Sequence, residues 1–298
     1  MSAYRRVPIW PELAAHVVGI LVQEATPNAK SPDAPAPHAS VSDTLRPILP
    51  VLPAPWPVLG FQFQGRLAVV RERGQHLLER SGITLLQATA RRFVPVDGAL
   101  SVLVTLQPSA AYALLGRPLH ELADQHLGLA DLLPAADIRM VEERLAAART
   151  TDERAAVVQR LLAARFRTAG AVPHDVVEEA VQQILTRGGR VQVRSLALDL
   201  GISERQLERL FREQIGAGPK RFAALVQFDH AVQQMSRGES WSALALEAGY
   251  ADQSHLTRTF TARTGLPPSG LRALLGQSDG AVQDVEFLQD PPPAAPIS

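Results

Sequence analysis

The sequence WSALALEAGYADQSHLTRTFTARTGLPPSGLR, residues 241–272, contains two short helical patterns that are separated by a glycine. Gly249 suits the tight turn between them, and Asp252 is a good N-cap for the helix that follows. The apolar residues fall on one face of each helix, at Leu244, Ala245 and Ala248 in the first and at Leu256 and Phe260 in the second. The stretch therefore predicts a helix-turn-helix.

The same pattern occurs a second time, upstream of the first. Nine positions match in order, and internal repetition of this kind is the first feature to test in any sequence. The offset is 48 residues up to the turn glycine and, after one inserted residue, 49 residues from Leu207 and Leu256 onward. The upstream set is Leu196, Ala197, Gly201, Ile202, Ser203, Leu207, Phe211, Gly216 and Pro219, and its partners are Leu244, Ala245, Gly249, Tyr250, Asp252, Leu256, Phe260, Gly265 and Pro268. The chain is therefore predicted to carry two helix-turn-helix units.

A long helix is predicted between the two units, over residues 219–236. Its apolar residues recur at helical spacing, proline is allowed in the first turn, and Gly238 lies just past the end. A helix of this length spans roughly 27 Å, compared with roughly 34 Å between successive major grooves of DNA. One chain would then place two recognition helices on one face of the duplex, as a helix-turn-helix dimer does with two chains.

Residues 175–275 resemble the DNA-binding domain of the AraC/XylS family of bacterial transcription regulators. The most specific parts are GYADQSHLTRTF, residues 249–260, and TGLPPSGLR, residues 264–272. The resemblance implies seven helices, with two recognition helices that enter adjacent major grooves. Gln227 departs from the family, which usually has arginine there, and is expected to weaken a phosphate contact or an internal ion pair. Carried over by position, the DNA-binding residues are Arg205, Glu208, Arg209, Ser254, His255 and Arg258.

Arg209 and Arg258 occupy equivalent positions, because each lies two residues before the phenylalanine of its helix. An arginine there suits the O6 and N7 acceptors of guanine, or a phosphate. Glu208 has two interpretations. It accepts a hydrogen bond from cytosine N4, or it pairs with Arg205 or Arg212 and makes no contact with a base. Phosphate contacts are expected from Arg190, Ser203, Arg212 and Lys220.

The composition limits the classes of function. The chain of 298 residues is 46% hydrophobic and 20% charged, which is ordinary for a globular protein. It has no cysteine, which excludes disulfides and thiolate chemistry and counts against the alkyl-accepting repair proteins that carry a similar helix-turn-helix. Without a long apolar run or a recognisable signal peptide, we expect a cytoplasmic protein with no membrane partner.

The net charge is zero, but the charge is unevenly distributed. Residues 187–276 carry 12 basic and 8 acidic residues, whereas residues 277–298 carry four acidic residues and no Lys or Arg. The small positive excess on the DNA-binding segment predicts moderate and strongly salt-dependent affinity.

The predicted fold class is α+β, in three parts. Residues 1–167 form a mixed α+β sensing or dimerisation domain with an antiparallel sheet, residues 174–276 form an all-α DNA-binding domain, and residues 277–298 form an acidic, proline-rich tail. Asp175 and Glu178 are predicted to make a capping box where the DNA-binding domain begins. Residues 107–133 are similar to the N-terminal domain of one branch of these regulators, which brings no assigned ligand.

Alternating apolar residues predict the strands of the N-terminal part. Residues 58–64 and 66–72 look like a hairpin that turns at Gly65, and residues 83–89 and 100–106 look like two further strands. After residue 108 the apolar period becomes helical.

No catalytic residue, metal site or cofactor is predicted. His120 and His126 suggest a zinc pair, but they are six residues apart, whereas a pair on one helix face needs a spacing of four. Glu121 and Asp124 beside them are interpreted as surface polar residues. The aromatic residues near the strands are assigned to the core rather than to a ligand pocket, namely Trp10, Trp56, Phe61 and Phe63.

These features predict a sequence-specific DNA-binding transcription regulator that is modulated through its N-terminal domain. Its expected partners are double-stranded DNA, RNA polymerase, a small-molecule effector and a second copy of the chain in a homodimer. Two alternatives remain. A repair-type enzyme fused to the helix-turn-helix requires a nucleophile or a paired acid and base before residue 170. A non-specific architectural binder predicts a steep salt dependence without sequence preference.

Overall fold

The computed structural model describes residues 3–24, 50–71, 74–123, 125–235 and 240–276. Within these residues the chain is α+β, because an antiparallel sheet with three helices is followed by a run of seven helices. The predicted fold class is confirmed. The predicted acidic tail, residues 277–298, lies outside the described residues. No helix in the described part of the chain is long and apolar enough to span a membrane.

One antiparallel sheet dominates the N-terminal half. Its strands are β1 (Ala3–Arg6), β2 (Val17–Glu24), β3 (Pro50–Val51), β4 (Val58–Arg71), β5 (Gly74–Leu77), β6 (Ser81–Thr84), β7 (Arg91–Leu106) and β8 (His126–Gly128). The order is β1-β2-β7-β4-β6-β8, with β3 beside β7 and β5 beside β4. Side chains alternate along β4, so Leu59 and Phe61 enter the hydrophobic core while Val58, Gly60 and Gln62 line a cavity on the opposite face.

The predicted hairpin at Gly65 is wrong. β4 continues through this residue and pairs with β7 on both sides of it. Gly65 has a φ of 54° and lies at a shift of register, so it forms a β-bulge that bends the strand. A Cβ atom at this position would lie 2.5 Å from the carbonyl oxygen of Val96, which explains the need for glycine. A glycine between two apolar alternations fits a turn and a bulge equally well in sequence.

The strand predicted over residues 83–89 is too long, and the one predicted over residues 100–106 is too short. β6 ends at Thr84, while residues 100–106 are only the second half of β7. The chain leaves the sheet after Thr84 because Leu86 is buried in a core of the helical half. The apolar pattern of this segment therefore reflects two different cores rather than one strand.

Three helices cover one face of the sheet: α1 (Ala110–Leu115), α2 (Ala135–Ala147) and α3 (Thr151–Arg167). The main core lies between these helices and the sheet, and it contains Leu13, Ile20 and Ile138. Phe61 is fully buried, and Trp56 is 3% exposed. Trp10 and Phe63 pack against the core while partly buried. The assignment of these aromatic residues to the core is confirmed.

Seven helices form the C-terminal half: α4 (Asp175–Thr186), α5 (Val193–Asp199), α6 (Glu204–Ile215), α7 (Pro219–Met235), α8 (Trp241–Glu247), α9 (Gln253–Thr264) and α10 (Pro268–Gly276). The predicted Asp175–Glu178 capping box is wrong. The N-cap of α4 is His174, whose ring Nδ1 accepts from the backbone N–H of Val176 at 3.2 Å. The helix therefore begins one residue earlier, and Glu178 accepts instead from Ser109 Oγ at 3.5 Å.

Two hydrophobic cores in the C-terminal half share the long helix α7. Phe222 and Leu225 from its first half belong to one core, whereas Phe228 and Val232 from its second half belong to the other. α7 begins at Pro219 as predicted, and its 17 residues span about 26 Å. Because both cores depend on this helix, it holds the two helical units in a defined relation.

The N-terminal half contributes a leucine to each of these cores. Leu86 is 3% exposed in the first core, and Leu52 is 2% exposed in the second. Backbone contacts lie beside them. The N–H of Ala90 donates to the carbonyl oxygen of Arg263 at 2.7 Å, and the Arg263 guanidinium donates to the carbonyl oxygen of Ala88 at 3.3 Å. Buried side chains and hydrogen bonds therefore join the sheet to both helical units.

Candidate nucleic-acid interface

The internal repeat is reproduced in the structure. α6 and α9 both have 12 residues and start 49 positions apart, and the preceding helices α5 and α8 both have seven residues and start 48 positions apart. Leu207 and Leu256 are fully buried, as are Phe211 and Phe260. Each pair of helices is therefore a helix-turn-helix whose second helix packs through equivalent residues.

The ends of both recognition helices follow the sequence signals. Ser203 Oγ accepts from the N–H of Gln206 at 3.2 Å, and Asp252 Oδ1 accepts from the N–H of His255 at 2.7 Å. The predicted N-cap at Asp252 is confirmed. Both helices stop at a glycine in the left-handed region, Gly216 with φ 85° and Gly265 with φ 76°. The N-caps fix where each helix begins, and so determine which side chains face outward.

The six residues assigned to DNA by resemblance lie on α6 and α9. The structure leaves Arg205, Arg209, Ser254, His255 and Arg258 exposed, with Glu208 half-buried. Arg205, Arg209, Ser254 and Arg258 lie on the sides of their helices away from the buried leucine and phenylalanine, whereas Glu208 lies beside that buried side. This placement is required for contact with a major groove.

Two of the three arginines of α6 form ion pairs along the helix. Arg209 Nη1 lies 3.5 Å from Glu213 Oε2, and Arg212 Nε donates to Glu208 Oε1 at 2.9 Å. Both arginine side chains are about two-thirds exposed, at 66% and 65%. Of the two interpretations of Glu208, the structure shows pairing with Arg212. Exposed pairs at this spacing contribute only about 0.3–0.5 kcal/mol, so DNA can compete for the guanidinium groups.

α9 differs in charge from α6. Apart from Arg258 it carries one other basic residue, Arg263, and no acidic one. Arg258 has no hydrogen bond or ion pair within the described residues. The His255 ring packs edge-on against Tyr250, with ring centroids 5.3 Å apart, and its Nδ1 accepts weakly from the N–H of Ala251 at 3.4 Å. The second recognition helix therefore presents an arginine with no competing carboxylate on its own helix.

The four phosphate candidates have different surroundings. Lys220 is exposed in the first turn of α7, Ser203 uses its hydroxyl as an N-cap, and Arg212 is paired with Glu208. Arg190 is exposed, but its guanidinium Nη1 donates to the carbonyl oxygen of Glu247 at 3.2 Å. Arg190 therefore links the loop after α4 to the end of α8, across the two helix-turn-helix units.

Gln227 makes a second link between the units. Its side-chain Nε2 donates to the carbonyl oxygens of Ala248 and Gly249, both at 2.9 Å. Glutamine was expected to weaken an internal ion pair. Instead, its amide holds the turn of the second unit through neutral hydrogen bonds. The sequence showed the departure from the family but not the carbonyl groups that face it.

Sequence reasoning also missed two contacts between the N-terminal half and the recognition helices. The Tyr112 hydroxyl on α1 donates to Glu213 Oε1 at 3.3 Å, and burial together with this carboxylate raises the pKa of Tyr112. Arg263 of α9 donates to the carbonyl oxygens of Ala88 and Ala224, both at 3.3 Å. These pairs are 101, 175 and 39 residues apart in sequence, so no local pattern marks them.

The described residues contain no cluster of three His, Cys, Asp or Glu side chains able to hold a metal. His120 lies on a short 3₁₀ turn, whereas His126 begins β8 and its ring contacts Thr84 Oγ1 at 2.9 Å. Burial, reinforced by Arg91 and Arg71, lowers the pKa of His126 to about 4, so this imidazole is neutral at pH 7. Asp124 lies outside the described residues.

Comparison with known proteins identifies the C-terminal domain. A family model with the description helix-turn-helix domain matches residues 196–273, whereas no curated protein matches the chain. The structure of ToxT from Vibrio cholerae O395 is 13% identical over 76% of this chain and 92% of its own, with a TM-score of 0.41. ToxT from strain SCE256 with a bound unsaturated fatty acid is 14% identical over 76% and 90%, with a TM-score of 0.39. An AraC-type regulator from Chromobacterium violaceum is 25% identical over 33% and 90%, with a TM-score of 0.32.

The family match covers α5 to α10 almost completely, which are the elements of both helix-turn-helix units. It agrees with the internal repeat, the shared long helix and the two exposed recognition surfaces. Residues 196–273 are a helix-turn-helix domain, a fold that binds DNA.

Proposed function

We propose that the protein reads a specific DNA site by placing α6 and α9 in two adjacent major grooves. The observation that carries this proposal is the equivalence of Arg209 and Arg258, which lie exposed at matching positions of two helices that are otherwise packed alike. A bidentate contact between arginine and guanine contributes about 1–3 kcal/mol of discrimination. That exceeds the value of the Arg209–Glu213 ion pair, so the pair does not prevent recognition.

The two helices are proposed to contribute unequally. Arg258 has no carboxylate partner among the described residues, whereas Arg209 must exchange Glu213 for DNA. Arg205, Ser254 and His255 complete the base-facing set, and Glu208 is assigned to pairing with Arg212. Lys220 and Ser203 are proposed to contact phosphate, with Arg212 and Arg190 contributing charge from their linking positions.

The N-terminal half is proposed to regulate DNA binding through the C-terminal ends of both recognition helices. Tyr112 contacts Glu213 in the last turn of α6, and residues 88–90 contact Arg263 in the last turn of α9. The N-terminal ends, with Arg205 and Ser254, remain exposed. The sheet can therefore influence the position of both helices without covering the surface that faces DNA. We accordingly assign residues 1–167 to sensing and residues 174–276 to DNA binding.

The cavity on the open face of the sheet is the proposed effector site. Its volume is about 270 Å³, near the lower end of the usual range for small-molecule pockets. Within the part of the chain that the structure describes, no Asp, Glu, Lys or Arg lines it. Among the described residues, two polar atoms in it are buried without a protein partner, Gln87 Oε1 and His126 Nε2. The chemistry fits a small, uncharged, mostly apolar molecule with at least one hydrogen-bonding group.

The effector site lies close in sequence to the contact with α9. Thr84 and Gln87 line the cavity, Leu86 enters the first helical core, and Ala88 accepts from Arg263. A ligand that moves Gln87 would thus act on both helix-turn-helix units through the same segment. We further propose that the protein regulates RNA polymerase, that it forms a homodimer and that it is located in the cytoplasm.

Selection of binding sites from random duplex DNA tests the proposal. The purified full-length protein is used at near-physiological salt, and wild type is compared with Arg209→Ala and Arg258→Ala. We expect a site with two elements about one helical turn apart, in which each variant loses the preference for its own element. Binding that falls steeply with salt and selects no sequence would instead indicate an architectural binder.

A further inference from the structure

A basic cleft lies between the sheet and the helical half, outside the recognition surfaces. It has a volume of about 910 Å³ and is lined by Arg71, Arg91 and Arg92 from β4 and β7 and by the end of α9. Leu274 of α10 also lines it. Arg71 and Arg92 are exposed. We call this surface the arginine cleft.

The described lining of the arginine cleft contributes three guanidinium groups, two of which, Arg71 and Arg92, are exposed. Among the described residues that line it, none is acidic. An adjoining cavity of about 430 Å³ shares Arg71 and Arg91 and extends to His126. Burial lowers the pKa of that imidazole most, and both guanidinium groups lower it further. The surface therefore suits an acidic occupant.

The chain itself supplies such an occupant next to the cleft. α10 ends at Gly276, two residues after Leu274, and the C-terminal segment that follows, residues 277–298, carries four acidic residues and no Lys or Arg. An extended chain covers at most about 3.3–3.6 Å per residue. Asp279 can therefore reach about 10 Å beyond Gly276 and Asp284 about 28 Å, which allows the segment to enter a cleft that begins at Leu274.

We propose that the acidic C-terminal segment docks in the arginine cleft. Individual exposed ion pairs are weak, but a tethered partner has an effective concentration in the millimolar range, and several pairs act together. The docked segment would bridge β4 and β7 to the end of α9. It would thereby hold the second helix-turn-helix unit against the sheet from the side that does not face DNA.

Cross-linking in the full-length chain tests the docking directly. Because the protein has no cysteine, two can be introduced without interference. The test pair is Thr89→Cys, at an exposed residue of the cleft, with Val282→Cys in the C-terminal segment. The control pair is Ala136→Cys, at an exposed residue of α2 on the covered face of the sheet, with the same Val282→Cys. We expect a short bismaleimide to cross-link the test pair several-fold more efficiently, whereas equal yields would overturn the proposal.

The charge dependence of the yield tests the mechanism. Replacing the acids by amides, as Asp279→Asn, Asp284→Asn, Glu286→Gln and Asp290→Asn, removes the negative charge of the segment and should reduce the yield to that of the control. The double variant Arg71→Gln and Arg92→Gln should do the same. A yield that survives neutralisation of the acids would contradict docking by charge. Loss of the cross-link on adding inorganic phosphate at constant ionic strength would assign the cleft to a small anion instead.

Discussion

Arg258 projects from the exposed face of α9 with no partner among the described residues, so its loss should be felt only in DNA binding. We expect Arg258→Ala to weaken binding to the selected site by about 1–3 kcal/mol and to relax preference at one base position. Fluorescence anisotropy on specific and random duplexes measures this. Arg139→Ala, which removes an exposed arginine from α2, is the matched control and should change neither affinity. An equal loss on both duplexes would assign Arg258 to phosphate.

Arg209 is paired with Glu213, and this ion pair is expected to reduce the affinity for DNA. Glu213→Gln should increase affinity for the specific site about twofold, because the ion pair of about 0.3–0.5 kcal/mol no longer competes with DNA. The same substitution in an Arg209→Ala background reports only the general effect of removing a negative charge. If the two gains are equal, the ion pair has no influence on recognition.

The exposure of these side chains was predictable because each depends on local signals. The N-cap at Asp252 and the buried Leu256 and Phe260 fix the orientation of α9, and Arg258 follows from them. The contacts of Tyr112 and Arg263 depend on parts of the chain that are distant in sequence, so spacing gave no indication of them.

The turn glycines of the two helix-turn-helix units differ in the space around them. Gly201 and Gly249 both have positive φ, 68° and 76°, and alanine in this region costs about 1–2 kcal/mol. A Cβ atom at Gly201 meets nothing within 4 Å, whereas one at Gly249 would lie 2.6 Å from Cδ of Arg190. Arg190 would have to move and would lose its hydrogen bond to Glu247.

We therefore expect Gly249→Ala to destabilise its unit by about 1 kcal/mol more than Gly201→Ala destabilises the other, the value of one hydrogen bond. Amide hydrogen exchange of α8 and α5 measures the two effects separately. In an Arg190→Ala background the extra cost should disappear. A difference that persists without the Arg190 side chain would refute this explanation.

Elements were predicted best where one core determines the pattern. The helices of the repeat pack on single stripes and appear where the sequence placed them, whereas residues 83–90 serve the sheet, the cavity and a helical core in turn. Their apolar pattern therefore suggested a longer strand than β6. The prediction of a turn at Gly65 was wrong for a different reason. The pairing of β4 with β7 on both sides of this residue is a property of the sheet and not of the local sequence.

Two leucines of the N-terminal half are buried in the cores of the helical half, one in each helix-turn-helix unit. Replacing either leucine is therefore expected to affect mainly one unit. Leu86 is buried in the core of the first unit and Leu52 in the core of the second. Replacing a buried leucine by alanine costs about 2–5 kcal/mol. Leu86→Ala should therefore accelerate amide exchange mainly in α6, and Leu52→Ala mainly in α9, because each cavity opens in a different core.

Controls for this prediction come from the repeat itself. Leu198 and Leu246 occupy equivalent positions on α5 and α8 and are 70% and 80% exposed. Their replacement by alanine removes the same side chain from the same units without opening a core, so it should leave exchange in α6 and α9 nearly unchanged. If Leu86→Ala and Leu52→Ala instead accelerate both helices equally, the two units share one cooperative core. In that case a ligand bound in the sheet cavity would affect both recognition helices together, rather than each through its own contact with the N-terminal half.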